Sequence, residues 1–167
     1  KNYFKKNDLL NPVLEALKHI PIFNNLYNKE LKEVAKLVHE RVYKTNEYIF
    51  KKMAPAEGMY AILNGKVKIN DPDSGTIFAS LERNDFFGEL ALLDEEPRSA
   101  SAIATCPSIL IGFFRTDLLT LIKKSPELGN KILFNLSRVL GERLRKTNQE
   151  LLKSNWLWIQ FKRSTSY

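Results

Sequence analysis

Apolar residues recur first at helical spacing, then at strand spacing, then at helical spacing again. Val13, Leu14, Leu17 and Ile20 share one face of a helix that Asn11-Pro12 starts, an N-cap followed by proline at the first helical position. Pro21 ends that run, and Ile22, Phe23 and Leu26 follow in an asparagine-rich turn. Asn28 caps a second helix with Leu31, Val34, Ala35 and Val38 on its apolar face. From Glu40 the period shortens to that of strands. Val42-Tyr43 and Tyr48-Ile49-Phe50 read as two short strands around a polar turn. Gly58 to Ile69 predicts a hairpin, with Asn64-Gly65 as its tight turn and Val67 and Ile69 alternating with lysines, one face dry and one wet. Asp71 to Gly75 predicts a turn and Thr76 to Leu81 a strand; further strands are expected at Ser99–Ala104 and Ile109–Phe114. Short strands at this spacing predict a sandwich, barrel or roll.

After the strands the helical period returns. Thr116 is expected to cap a short helix carrying Leu118, Leu119 and Ile122, and Ser125-Pro126-Glu127 to open a longer one. Leu133, Leu136, Leu140, Leu144 and Leu151 lie on or near one face of it, with Arg138, Arg143, Arg145, Lys146 and Lys153 on the other sides. Two readings stay open: a helix packed back on its own roll, or a two-helix seam between subunits, since the apolar spacing approaches a heptad. Asn155 to Phe161, with Trp156 and Trp158, forms an aromatic patch before Lys162-Arg163, and docking on the roll is its default reading.

Composition narrows the class. A chain of 167 residues, 44% of them hydrophobic, has room for one domain with a real core, or one domain and a short appendage. The net charge of +7 suits nucleic acid, an acidic partner, a membrane surface or a small anionic ligand, and most commonly marks a solvated basic face. Cys106 is the only cysteine, so no internal disulfide framework exists and a reducing, cytoplasmic setting is expected. No secretory signal and no apolar run of membrane-spanning length is found, and a start at Lys1 rather than Met fits a piece of a longer protein. His19 and His39, the two histidines, fall in helical-looking segments away from the other polar candidates, which argues against a histidine metal site or a catalytic triad.

The most unusual stretch is Phe86-Phe87-Gly88-Glu89-Leu90-Ala91-Leu92-Leu93-Asp94-Glu95-Glu96-Pro97-Arg98-Ser99-Ala100. Gly88 permits a close backbone approach or an unusual torsion. Glu89 to Leu93 reads as one helical turn whose first N–H groups lack intrahelical partners and attract an anion. Pro97 breaks the chain, so Arg98 and Ser99 open a new element. A guanidinium opposite backbone donors grips a phosphate, whereas Glu89, repelled by that phosphate, suits a hydroxyl donor such as a ribose OH. An anion clamp beside a hydroxyl acceptor describes a nucleotide site. The plainer alternative is a surface helix and loop in which Arg98 and Glu89 merely pair.

Phe87-Gly88-Glu89-Leu90-Ala91-Leu92-Leu93 followed by Pro97-Arg98-Ser99-Ala100 resembles the phosphate-binding cassette of the cyclic nucleotide-binding domain family, the domain of cAMP receptors, protein kinase A regulatory subunits and cyclic nucleotide-gated channels. Upstream, Tyr60-x-Ile62-x-x-Gly65-x-Val67 is similar to that family's hairpin, and the resemblance spans roughly residues 12 to 153. It implies a mainly β fold with flanking helices: a double-stranded β-helix, or jelly-roll-like β roll, with N-terminal helices and C-terminal lid helices. It further implies a single domain at 1–153, with N-terminal helices at 1–39, the roll at 40–115 around a cassette at 86–100, C-terminal helices at 116–153, and an aromatic, basic tail at 154–167. By resemblance, Glu89 holds the ribose 2′-hydroxyl and Arg98 the cyclic phosphate. The N–H groups near Leu90, Ala91 and Ser99 complete the cradle after Gly88, and Ile69 and Phe78 wall the base. The long helix is implied as lid and moving part, with Arg143 or Thr147 as candidates to meet the base. Ser99, where cGMP-preferring members often carry threonine, implies cAMP rather than cGMP. Two departures stand out: the family often has glycine near Met53-Ala54 and at Asn84, and this chain has none. Asparagine tolerates the left-handed conformation, so the second departure is mild.

The expected function is a cyclic nucleotide sensor that switches an effector through its C-terminal helix by population shift, without catalysis. A homodimer through that helix is one partner reading; the effector itself is not identified by the sequence. Direct DNA binding is not expected, because the 14 residues after Lys153 are too few for a helix-turn-helix, although a longer parent regulator could carry one. A metal-dependent β-roll enzyme lacks strand histidines and an evident nucleophile or base. A ligand-free interaction domain is the remaining alternative, and the intact Glu89, Arg98 and Ser99 argue against it.

Overall fold

The computed structural model describes the backbone of residues 6–164 and the side chains of residues 12–154. Helices α1 (Lys6–His19) and α2 (Asn28–Ala35) flank a short 3-10 helix, Pro21–Phe23, and precede eight strands. These are β1 (His39–Tyr43), β2 (Tyr48–Phe50), β3 (Gly58–Asn64), β4 (Val67–Asn70), β5 (Ile77–Leu81), β6 (Phe86–Phe87), β7 (Ser101–Ala104) and β8 (Ser108–Phe114). A 3-10 turn, Glu89–Leu92, interrupts them, and α3 (Arg115–Lys124) and α4 (Pro126–Ser164) close the order. The strands form two antiparallel four-stranded sheets, β1-β8-β3-β6 and β2-β7-β4-β5, and the expected β roll with flanking helices is what the chain folds into.

Several local expectations need correction. Asn64-Gly65 does turn the chain, with Gly65 at φ +99, but β3 and β4 are not hairpin partners. β3 pairs with β6 and β8, and β4 with β5 and β7, so this turn carries the chain from one sheet to the other. A Cβ at Gly65 would collide with Ser108, which is why a residue without one sits there. The true hairpin is β4–β5, closed by Asp71–Gly75. Helix α1 starts at Lys6, not at Asn11, and Pro12 lies inside it; the Asn11 side chain lies outside the described residues. His39 opens β1 opposite Gly112 rather than ending a helix. The caps of α2 and α3 are Tyr27 and Phe114, one and two residues before the expected Asn28 and Thr116, because Glu30 accepts the Tyr27 N–H (2.7 Å) and Asp117 the Phe114 N–H (3.1 Å). Finally, α4 continues unbroken through Ser164, so the expected separate tail is helical backbone; the side chains of Trp156 and Trp158 lie outside the described residues.

Two apolar clusters position the site. Strand β3 is buried on both faces, which is why Met59-Tyr60-Ala61-Ile62-Leu63 reads as a continuous apolar run. Met59 and Ala61 face a helical core with Leu17, Ile20, Phe23, Val34, Phe113, Leu118, Ile132 and Leu136. Phe23 meets Phe113 edge-on at 5.5 Å, a contact worth about 1 kcal/mol beyond the area it buries. On the other face, Ile62 joins Val67, Phe87, Ala102 and Leu110 between the sheets, with Phe50, Tyr60, Ile69 and Leu81 at the edge. Burial holds the Tyr43 hydroxyl there in its neutral form, its pKa pushed up to about 12. Helix α4 is clamped near its start: buried Asn135 donates to the carbonyls of Ile22 (3.2 Å) and Asn24 (2.7 Å), and Lys131 pairs with Glu30 at 2.7 Å. Among the described residues no helix is long and apolar enough to cross a membrane.

Candidate functional site

Beside the inter-sheet cluster the roll leaves a cavity of about 560 Å³. Its floor is the Phe86–Ala91 and Pro97–Ala100 segments, its apolar wall is Ile69, Ala79 and Leu81, and α4 contributes Arg143. The structure thus brings together Ile69, Gly88, Glu89, Leu90, Ala91, Arg98 and Ser99. Phe78 is not among them. It is 60% exposed, and its β5 neighbour Ala79 faces inward opposite Ile69. Strand alternation explains this, since residues 79 and 81 share a face and residue 78 takes the other. Thr147 is exposed and does not line the cavity, whereas Arg143 does.

Arg98 is the chemical centre. It is buried (7% exposed), and its Nη2 donates to the Gly58 carbonyl at 2.6 Å and its Nη1 to the Gly88 carbonyl at 3.3 Å. Its Nε is buried with no partner. The guanidinium carbon stands 4.1 Å from the centre of the Phe50 ring. Among the described residues no ion pair involves Arg98, and burial draws its pKa below the ordinary guanidinium value, partly offset by Tyr60, Glu57 and Glu89. A buried cation held by carbonyls and a ring, with a donor to spare, has its charge available to an anion. Gly88 makes the seat possible: it is left-handed at φ +75, and a Cβ there would lie 2.6 Å from Arg98 Nη1.

Glu89, 4% exposed, opens the 3-10 turn and faces the same cavity. Its carboxylate does not pair with Arg98. It accepts a hydrogen bond from Arg143, whose guanidinium also donates to the Phe86 carbonyl at 3.3 Å and lies 4.7 Å over the Phe86 ring. The Ala91 N–H is engaged with the Gly88 carbonyl at 3.3 Å, while Leu90 N–H finds no backbone acceptor among the described residues. Asp94 and Glu96 border the cavity, and Glu95 pairs with Arg115 at the start of α3.

The segment between β2 and β3 braces this site. Met53 donates its N–H to the Arg98 carbonyl at 2.8 Å, and Arg98 donates its own N–H to the Ala54 carbonyl at 3.0 Å. Lys52 fixes the same segment from the other side, its Nζ lying 2.7 Å from Asp71 and 2.6 Å from Asp73. That contact, with the Ser74 hydroxyl, holds the Asp71 carboxyl at a pKa of about 2. Met53 (φ +67) and Asn84 (φ +73) are both left-handed, at the two places where the resemblance leads one to look for glycine. Sequence reasoning did not single out Phe50, Ala79 or Leu81. Period-two spacing along β5 puts Ala79 on the face of Leu81 and was the available signal for it; nothing local marked Phe50.

The profile of the family described as "Cyclic nucleotide-binding domain" matches residues 40–125. The chain is similar to the cyclic AMP receptor protein of Thermus thermophilus, 33% identical over 138 residues, which cover 81% of this chain and 62% of that protein. It is also similar to a CRP-like cAMP-activated global transcriptional regulator of Mycobacterium tuberculosis, 29% identical over 140 residues covering 82% and 61%. It therefore spans less than two thirds of the length of either relative. In structure it resembles a cyclic nucleotide-binding domain from Methylobacillus flagellatus KT, with a TM-score of 0.75, 26% identity, and coverage of 89% of this chain and 85% of that one. With the match over residues 40–125 and the roll around it, this chain belongs to the cyclic nucleotide-binding domain family.

Proposed function

We propose that this chain is a cyclic nucleotide sensor for which cAMP is the preferred ligand and cGMP the weaker one, acting by binding and not by catalysis. Arg98 holds the cyclic phosphate, with the N–H groups of Leu90 and Ser99 around it and Ala91, whose N–H is held by the Gly88 carbonyl, lining the same floor; Glu89 accepts the ribose 2′-hydroxyl; Ile69, Ala79 and Leu81 wall the base. The observation that carries this reading is the buried, carboxylate-free Arg98 with an unpartnered Nε beside an apolar-walled cavity. Arg143 links the pocket to α4, which gives a ligand on Glu89 a route to that helix. The cAMP-receptor and cAMP-activated regulator relatives support both the ligand and a role as the sensor part of a longer regulator. A cytoplasmic setting accords with the lone Cys106. Calorimetric titration of the chain with cAMP and cGMP, with Arg98→Ala as control, tests it: tighter, Arg98-dependent binding of cAMP is expected. No binding of either by the folded protein would leave the interaction-domain reading.

The same reading includes a homodimer through α4. Its buried face, Leu128, Ile132, Asn135, Leu136 and Val139, ends at Val139, and from Glu142 to Ser154 every residue is exposed. A second stripe, Phe134, Ser137, Gly141, Leu144, Asn148 and Leu151, steps by three and four residues along the outer side, and Phe134, Leu144 and Leu151 are 68%, 62% and 58% exposed. That step is the heptad seam, complementary to a second copy of itself. Sedimentation should show a concentration-dependent dimer that Leu144→Glu dissociates; a monomer at all concentrations would exclude it.

A further inference from the structure

Cations inside proteins are normally matched by carboxylates, yet Arg98 is supported by a benzene ring. A carboxylate partner would neutralise the guanidinium and occupy the very donors that a phosphate needs. An aromatic face attracts the cation through its quadrupole but accepts none of its N–H groups in the guanidinium plane. Phe50 supplies such a face at 4.1 Å. Its ring is fixed rather than free: it lies 6.1 Å from Tyr60 and 5.8 Å from Phe87, and its backbone is registered against Ala102 of β7. The following residues, Met53 and Ala54, bracket the Arg98 main chain by hydrogen bonds at 2.8 and 3.0 Å. One short segment thus holds Arg98 by its backbone and by a ring under its guanidinium carbon, leaving Nε–H without a partner.

We propose that Phe50 is a positioning residue of the anion clamp, stacking on Arg98 so that the guanidinium keeps its charge and presents its edge to the phosphate. This inference rests on the nucleotide-binding reading above. A leucine at position 50 would keep an apolar wall but lose the quadrupole, so the effect falls on the anion and not on the rest of the ligand.

The test titrates the whole chain with cAMP and with adenosine, which offers the same base and a ribose without the phosphate. For Phe50→Leu, cAMP affinity should fall about tenfold while adenosine affinity stays at the wild-type value. Phe50→Tyr, which keeps the ring, should bind cAMP like the wild type. Equal losses for cAMP and adenosine, or unchanged cAMP affinity in a folded Phe50→Leu protein, would overturn the proposal. Thermal midpoints of ligand-free Phe50→Leu, Arg98→Met and the double variant give a second readout. Shifts that fail to add show the stacked pair, and additive shifts overturn it. If the wild type bound no nucleotide while those shifts were non-additive, the sensor reading would fail and the stacked seat of Arg98 would stand.

Discussion

Arg98 and Glu89 open onto one cavity from the same short segment, yet they are held in opposite ways. The roll alone seats Arg98, through the carbonyls of Gly58 and Gly88 and the ring of Phe50. Glu89 is held by Arg143, a side chain of α4, outside the roll. The cation is therefore in place wherever α4 sits, whereas the hydrogen bonding of the carboxylate depends on that helix. A ligand gripping only Arg98 would bind without consequence; one that also engages Glu89 must compete or share with Arg143, and so reaches α4.

The largest expected effect comes from removing the roll's cation. Arg98→Ala should lower cAMP affinity by about 100-fold or more, since charge-assisted bonds to a phosphate are among the strongest available, and calorimetry reads it directly. Near-wild-type binding would mean that Arg98 does not carry the anion. Next, Arg143→Ala leaves a buried carboxylate without its cation and should destabilise the domain by about 1 kcal/mol, the modest figure reflecting the exposure of Arg143. Denaturant unfolding measures that loss, and faster amide exchange in α4 beyond Val139 should accompany it. Unchanged stability and exchange would mean that Glu89 does not depend on the helix. The smallest effect sharpens the Arg98 side alone. Met53→Gly relieves a left-handed backbone at an exposed side chain and should raise stability by about 0.5–1 kcal/mol in thermal unfolding; a loss would mean that the methionine packs usefully.

Much of this was legible in the sequence because it is local. Gly88, Glu89, Arg98 and Ser99 meet because a glycine, a helical turn and a proline break set their geometry within a few residues. The strand and helix periods likewise yielded the order of the longer elements, though not β6 or the 3-10 helix Pro21–Phe23, which are too short to show a period. Strand partnership was not legible: Asn64-Gly65 has the chemistry of a tight hairpin, but whether the chain stays in its sheet depends on β8 and β7, more than thirty residues away. Phe78 was misplaced because register against β4, not hydrophobicity, decides which side of β5 faces the cavity. The single leucine face expected on the last helix resolves into two, since Leu136 is buried, Leu133 and Leu140 are partly covered, and Leu144 and Leu151 are exposed. Periodicity reports the width of an apolar stripe and not what covers each edge of it. Met53 shows a further limit: the backbone takes the glycine-like torsion anyway, so the missing glycine altered a cost and not the path of the chain.

The unbroken course of α4 has a mechanical side. From Leu144 to Ser164 the helix runs about 30 Å beyond Arg143, the last of the described side chains to line the pocket, and a helix of that length is stiff. If the proposed sensor function holds, it would act as a lever whose fulcrum lies beside Glu89. A tilt of about 10° at Arg143 would sweep the far end through roughly 5 Å, one full turn of helix, which is the scale on which packed helices change partners.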